Sequence, residues 1–172
     1  ADHVYLFKRT MRETSIRHKV YATFMAKPME NQPGSSLHIH QSLLDVKNSK
    51  NIFSDQKGRD SKTLRHFIGG LQKYIPLAMP MLGPNVNSYR RIMPDNSAPI
   101  NVQWGHDNRT TGFRIPISDK NNRRIENRIA GADANPYLAI ATSLGCGLRG
   151  ILEELEPTPP VPGSAYEHDF SL

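Results

Sequence analysis

Arg124-Ile125-Glu126-Asn127-Arg128 alternates charged side chains with others at a period of two. As a strand, it puts Arg124, Glu126 and Arg128 on one face, bracketed by Ile125 and Ile129. A solvated strand face is the plain explanation of such a triplet. The sharper one is the wall of a polar site, in which Glu126 holds a cation and the arginines hold anions. Burying these charges without partners would be very costly, so a ligand or metal would have to complete them.

Upstream, Leu37-His38-Ile39-His40 alternates in the same way after the Gly34-Ser35-Ser36 turn, placing both imidazoles on one strand face. A single strand histidine is more often a hydrogen-bonded structural residue. Taken with Glu126, the pair fits a Mg²⁺ or Mn²⁺ site in which carboxylates dominate and one imidazole is tolerated. Two protein ligands do not close such a site, so further carboxylates must come from elsewhere.

Around these anchors the patterns predict strands over 21–27, 100–104, 112–115 and 123–129. Helices are expected over 3–18, over 61–82 with Pro76 ending or kinking it, and from 136 to about 155. Asn135-Pro136 supplies an N-cap and a first-turn proline for the last helix. That helix is apolar over much of its circumference and is expected to be buried, with Cys146 in the core. Residues 45–60 read as a loop or hairpin, and 84–99 as a long ordered functional loop. The prolines of 157–163 exclude regular helix or central strand. The fold class is α+β, an antiparallel sheet with flanking helices.

Composition narrows the partners. The chain has 172 residues, a net charge of +6 and one cysteine, which excludes an internal disulfide and points to a reducing compartment. No run of about 18 apolar residues calls for a membrane span. The start, Ala1-Asp2-His3-Val4, carries neither an initiator Met nor a signal-peptide layout, so a cytoplasmic chain beginning within a longer protein is expected. Between residues 90 and 128 stand seven arginines (Arg90, Arg91, Arg109, Arg114, Arg123, Arg124, Arg128) against one lysine, Lys120. The planar guanidinium suits carboxylate and phosphate, so this bias favours a small anionic ligand over a polynucleotide. The aromatics expected for single-stranded nucleic acid are missing, Trp104 being the sole tryptophan. Lys27, closing Phe24-Met25-Ala26-Lys27-Pro28, suits a phosphate contact, although no Walker-type loop is present.

Several stretches together resemble the glutamine synthetase family. They are Phe24-Met25-Ala26-Lys27-Pro28, Gly34-Ser35-Ser36-Leu37-His38-Ile39-His40-Gln41-Ser42-Leu43, Asn87-Ser88-Tyr89-Arg90-Arg91, Ala98-Pro99, Asn108-Arg109, Arg114-Ile115-Pro116, Arg124-Ile125-Glu126-Asn127-Arg128 and Ala134-Asn135-Pro136-Tyr137-Leu138. Each is weak alone; the ordered set is specific. Asn85 to Arg91 and Trp104 to Thr110 look like the branch that includes γ-glutamylpolyamine synthetases.

The resemblance implies an ATP-dependent ligase that joins glutamate to an amine through a γ-glutamyl phosphate. It implies His38 and Glu126 as metal ligands, Gly34, Arg91 and Arg128 in the glutamate site, and Arg109 facing the transferring phosphate. It implies Lys27, His40, Arg114 and Arg124 on the ATP side, with Mg²⁺ or Mn²⁺ as the ion and a homo-oligomeric ring for the parent enzyme. Residues 1–155 would be part of the catalytic domain and 156–172 a Pro-rich connecting segment. The family's further glutamate ligands, N-terminal β-grasp domain and C-terminal helices have no counterpart in the chain, so it is expected to bind metal weakly and to be inactive alone.

Two departures bear on substrate. Ser97 stands where ammonia-using members carry a loop glutamate, which disfavours ammonia unless Asp95 substitutes; Pro33 replaces a usual asparagine before Gly34. The rival readings are an ammonia-using glutamine synthetase, a non-catalytic structural relative and a basic nucleic-acid module.

Overall fold

The computed structural model describes residues 1–94 and 98–168. Four three-residue strands form one sheet: β1 (Ile39–Gln41), β2 (Trp104–His106), β3 (Phe113–Ile115) and β4 (Ile125–Asn127), in the order β1-β4-β3-β2. The helices are α1 (Asp2–Arg17), α2 (Lys62–Tyr74), the short α3 (Met79–Leu82) and α4 (Val86–Tyr89), and α5 (Pro136–Leu152). The architecture is α+β, as the patterns predicted.

The sheet is mixed rather than wholly antiparallel. β4 runs antiparallel to both β1 and β3, but β2 pairs parallel with β3. The turn between them accounts for this. Asp107 takes a left-handed backbone (φ 47) and the Asn108 side chain accepts from Thr110 N–H at 3.0 Å, so the chain folds back to the start of β2 before β3 begins.

β2 also starts later than the pattern suggested, because the Asn101 side chain captures the Gln103 and Gly112 amides. The strand expected over 21–27 does not form. There the Asn87 amide acts as the ladder partner, accepting from Lys27 N–H at 2.9 Å and donating to Lys27 C=O at 2.8 Å. Residues 43–60 make a hairpin-like excursion with antiparallel bridges Leu44–Asn51 and Ser54–Asp60.

The core lies between the sheet and the α2/α5 pair. Phe53, Leu64, Phe67, Ile68, Leu71, Ile75, Phe113, Ile115, Ile125 and Ile129 are buried there. Ser61 caps α2 by accepting from Leu64 N–H, and Asn135 caps α5 by accepting from Tyr137 and Leu138 N–H. α2 ends at Tyr74; Pro76 opens a single 3₁₀ turn that leads into α3.

α5 is not enclosed. Ala139, Ser143, Gly147 and Gly150 face the interior, whereas Leu138, Leu144, Leu148 and Leu152 are exposed, and Cys146 is half-buried. Its apolar circumference is wider than the one face α2 and the sheet can cover. α1 buries no residue and reaches the rest through the Phe7–Phe24 edge contact and Lys8 Nζ, which donates to Ala134 C=O. Residues 156–167 cross the β2 edge, where Trp104 Nε1 donates to Thr158 C=O at 2.6 Å and Val161 is buried. Among the described residues no helix is long and apolar enough to cross a membrane.

Candidate active site

The strand register sets three chemically active side chains in a row. His40 on β1 faces Glu126 on β4, which faces Arg114 on β3. The alternation within β4 sends Glu126 to the opposite face from Ile125 and Asn127, which lie against α5 and the core.

Glu126 is 3% exposed and fully engaged. Its Oε2 accepts from Arg114 Nη1 at 2.8 Å; its Oε1 accepts from Arg128 Nη1 at 2.9 Å and lies 3.0 Å from His38 Nδ1 and 3.8 Å from His40 Nε2. Burial alone would push this carboxyl up, but the Arg114 hydrogen bond and the Arg128 charge hold it below the usual carboxylate range. Burial, then the Arg128 charge, pushes His38 down to about 4. His38 is therefore neutral near pH 7, so its 3.0 Å approach to Glu126 is not an ion pair there. Its Nε2 shares a hydrogen bond with Ser36 Oγ at 2.9 Å. His40 is also lowered, chiefly by burial, and its Nδ1 lies 3.3 Å from Arg124 Nε.

Two deeply set guanidiniums adjoin this row. Arg91 is 2% exposed, donates through Nη2 to the Ile129 carbonyl, and is pushed down to about 10, first by burial. Arg128 is close enough to weigh on its charge. Among the described residues, the buried Nε atoms of both Arg91 and Arg128 have no hydrogen-bond partner. Uncompensated donors of this kind suit an incoming oxyanion. Gly34 lies against the Arg91 side chain, where a Cβ would stand 2.6 Å from Arg91 Cγ.

Thus the structure brings together His38, His40, Glu126, Arg91, Arg114, Arg124, Arg128 and Gly34. Lys27 lies apart from that row, 7% exposed, donating through Nζ to Gln32 C=O at 2.6 Å beside a cavity of about 610 Å³ that Arg90 and Asn87 also line. Arg109 is not drawn in. It is exposed in the turn after β2, and makes no hydrogen bond or ion pair with the described residues. Asp95 and Ser97 lie outside the described residues.

Three residues at the cluster had no role in the sequence reading. Asp107 accepts from Arg114 Nε at 3.0 Å and also meets its Nη2, so Arg114 spans two carboxylates. Its signal was the acid within Trp104-Gly105-His106-Asp107. Ser36, beside His38, sat in the quoted glycine turn. Asn87, which braces Lys27, lay in the Asn-Ser-Tyr stretch.

The donor chemistry fits part of a hard-cation site. An ionised carboxylate and a neutral imidazole converge, the forms a metal requires. Among the described residues no group of three or more His, Cys, Asp or Glu is arranged to hold a metal, so the fit extends to His38 and Glu126 only.

Residues 1–171 match the family model of the glutamine synthetase catalytic domain. The chain is 43% identical over 168 residues to γ-glutamylputrescine synthetase PuuA of Escherichia coli, covering 98% of this chain and 35% of that protein. It is 41% identical over 169 residues to glutamine synthetase of Pyrococcus abyssi (98% and 38%), and 38% identical over 171 residues to glutamine synthetase of Streptomyces coelicolor (97% and 36%). It therefore spans little more than a third of the length of these relatives. With the ordered motifs, the strand-borne charged row and a match over nearly every residue, the chain belongs to the glutamine synthetase family, within its catalytic domain.

Proposed function

We propose that this chain supplies the nucleotide-and-glutamate side of an ATP-dependent carbon–nitrogen ligase. In that reaction the γ-carboxylate of glutamate takes the terminal phosphoryl group of ATP, and an amine then displaces phosphate to leave a γ-glutamyl amide. The single observation that carries this reading is the convergence of a neutral His38, an ionised Glu126 and Arg114 with the buried Arg91 and Arg128, brought together from four separate stretches of the chain.

His38 and Glu126 would hold a Mg²⁺ or Mn²⁺ ion together with carboxylates from the rest of the protein. Such an ion, when bound, neutralises charge on the transferring phosphoryl group. Arg91 and Arg128 would grip the glutamate carboxylates through the donors now unpartnered, beside the open backbone at Gly34. His40, Arg114 and Arg124 would meet ATP phosphates, and Lys27, apart from that row, would face the nucleotide from the adjoining cavity. Arg109, exposed in its turn, would reach the transferring phosphate once ligands are in place. Arginine donors act here by position and charge and form no covalent bond.

The acceptor we favour is an organic amine, supported by the 43% identity to a γ-glutamylputrescine synthetase and by Ser97, a poor base, in the position of a loop glutamate. The 41% identity to a glutamine synthetase supports ammonia as the second reading. Phosphate release by the whole protein with ATP, Mg²⁺ and glutamate, compared between putrescine and ammonium, separates the two. Release with neither amine would overturn the ligase reading if Arg91 and Arg128 are intact. The 172-residue chain alone is expected to give no turnover, and amide formation by it would refute that.

A further inference from the structure

We infer that Ser143 of α5 is a positioning residue for the charged row, acting through the sheet from its opposite face. This rests on the functional reading of that row. β1 and β4 each present one set of side chains to the site and the other to α5. On the helix side stand Gln41 and Asn127, polar residues where aliphatic ones would be expected against a helix, 6% and 0% exposed.

Ser143, 0% exposed, joins them. Asn127 Nδ2 donates to Ser143 Oγ at 2.9 Å, and Ser143 Oγ–H donates to Gln41 Oε1 at 2.5 Å. Asn127 Oδ1 in turn accepts from Ile129 N–H at 3.1 Å, fixing the backbone around Arg128. One hydroxyl thus staples the strand that carries His40 to the strand that carries Glu126.

The strands are only three residues long, and Ile39 pairs with Asn127 while Gln41 pairs with Ile125. So short a ladder specifies its register weakly, yet a slip of one residue would turn Glu126 from His40 toward the core. A hydrogen-bonded chain across the two strands is satisfied in one register only. The arrangement carries a cost, since Gln41 Nε2 is buried without a partner among the described residues. A layer needing only adhesion would be better filled by aliphatic side chains.

The test uses the whole chain, labelled for NMR at histidine ring carbons, at one mildly alkaline pH where the rings are neutral. Ser143→Ala should displace the His38 and His40 ring signals and weaken Mn²⁺-induced broadening of them about 10-fold in concentration. Gln41→Met, which removes the acceptor at similar volume, should move the same signals less, and it serves if Ser143→Ala does not fold. Ser143→Cys, which keeps a weak donor and acceptor, should restore them in part. Ile140→Ala, a cavity on the same helix that leaves the staple intact, should lower thermal stability without moving the rings.

Ring signals unchanged in both Ser143→Ala and Gln41→Met, or equally displaced by Ile140→Ala, overturn the positioning role. Absence of Mn²⁺ broadening in the unaltered chain, with rings still displaced by Ser143→Ala, shows that His38 and Glu126 by themselves do not hold the ion and upholds the staple.

Discussion

Gly34 and Arg91 approach so closely that no side chain fits between them: a Cβ on Gly34 would stand 2.6 Å from Arg91 Cγ and 2.6 Å from the Ala26 carbonyl oxygen. Neither neighbour yields freely. The Arg91 guanidinium is buried against the Ile129 carbonyl, and Ala26 C=O accepts from Ser35 N–H at 2.8 Å. Gly34→Ala should therefore cost about 1–3 kcal/mol, the usual penalty of overpacking, and displace the Arg91 side chain. Urea unfolding gives the first quantity and the Arg91 Nε–H resonance the second. Parent-like values for both would show that the approach is not tight.

Glu126 is the anion shared by Arg114 and Arg128. Glu126→Ala strands positive charge in a nearly dry site, and loss of one partner from a buried pair typically costs about 3–5 kcal/mol. Inorganic phosphate should return part of that stability by taking the place of the carboxylate, and should stabilise the variant more than the parent. Thermal denaturation with and without phosphate checks both statements. A variant indifferent to phosphate would count against oxyanion capture by these arginines.

How far the site could be read from sequence differs residue by residue. The alternation in Arg124 to Arg128 gave the strand and its charged face directly, because period two fixes facing whatever the neighbours are. Asn135-Pro136 likewise marked the start of α5 to the residue. That His38 joins Glu126 was inferred from metal-ligand chemistry, and that Arg91 meets this face was visible only through family likeness, since no local pattern encodes a long-range pairing.

The strand expected over 21–27 failed for a related reason. The partner of Lys27 is a side-chain amide, Asn87, and propensity has no means of anticipating it. The burial expected of α5 rested on composition alone. Composition shows that a helix has apolar surface to cover, not whether this stretch of chain covers it.

At the C-terminal ends of α2 and α5, Glu153 accepts from the Tyr74 hydroxyl at 2.6 Å and Lys73 Nζ at 3.0 Å, and pairs with Arg149. The Tyr74 hydrogen bond first, then that of Lys73, lowers its carboxyl from 4.5 to about 2. A depressed carboxyl contributes stability above its unfolded pKa and loses it as pH falls through the folded one. The contribution should be complete above about pH 5 and decline from there toward pH 2. Urea midpoints against pH should thus fall less steeply in Glu153→Gln than in the parent over that window, and coincide in slope above it. Parallel curves throughout would show that the cluster does not join the helices in solution.

The α2/α5 contact depends on two glycines more than on any apolar side chain. A Cβ on Gly150 would stand 2.2 Å from the His66 carbonyl oxygen and 2.5 Å from Gly70 Cα, and one on Gly70 would stand 2.2 Å from the Cys146 carbonyl oxygen. These obstacles are backbone, so no rotamer change relieves them and the helix axes must move apart. Moving α5 also moves Ser143 and Gly147, the latter packed against the Phe67 ring. Gly150→Ala should therefore cost at least the upper part of the usual overpacking range, about 3 kcal/mol, although alanine favours helix by about 1 kcal/mol. Gly145→Ala is the control, because a Cβ there meets nothing within 4 Å, and it should stabilise α5 slightly. Equilibrium unfolding of the two variants decides the matter. Equal gains in both would mean that the helices cross at a greater distance, and the spacing beneath Asn127 and Glu126 would then need a different support.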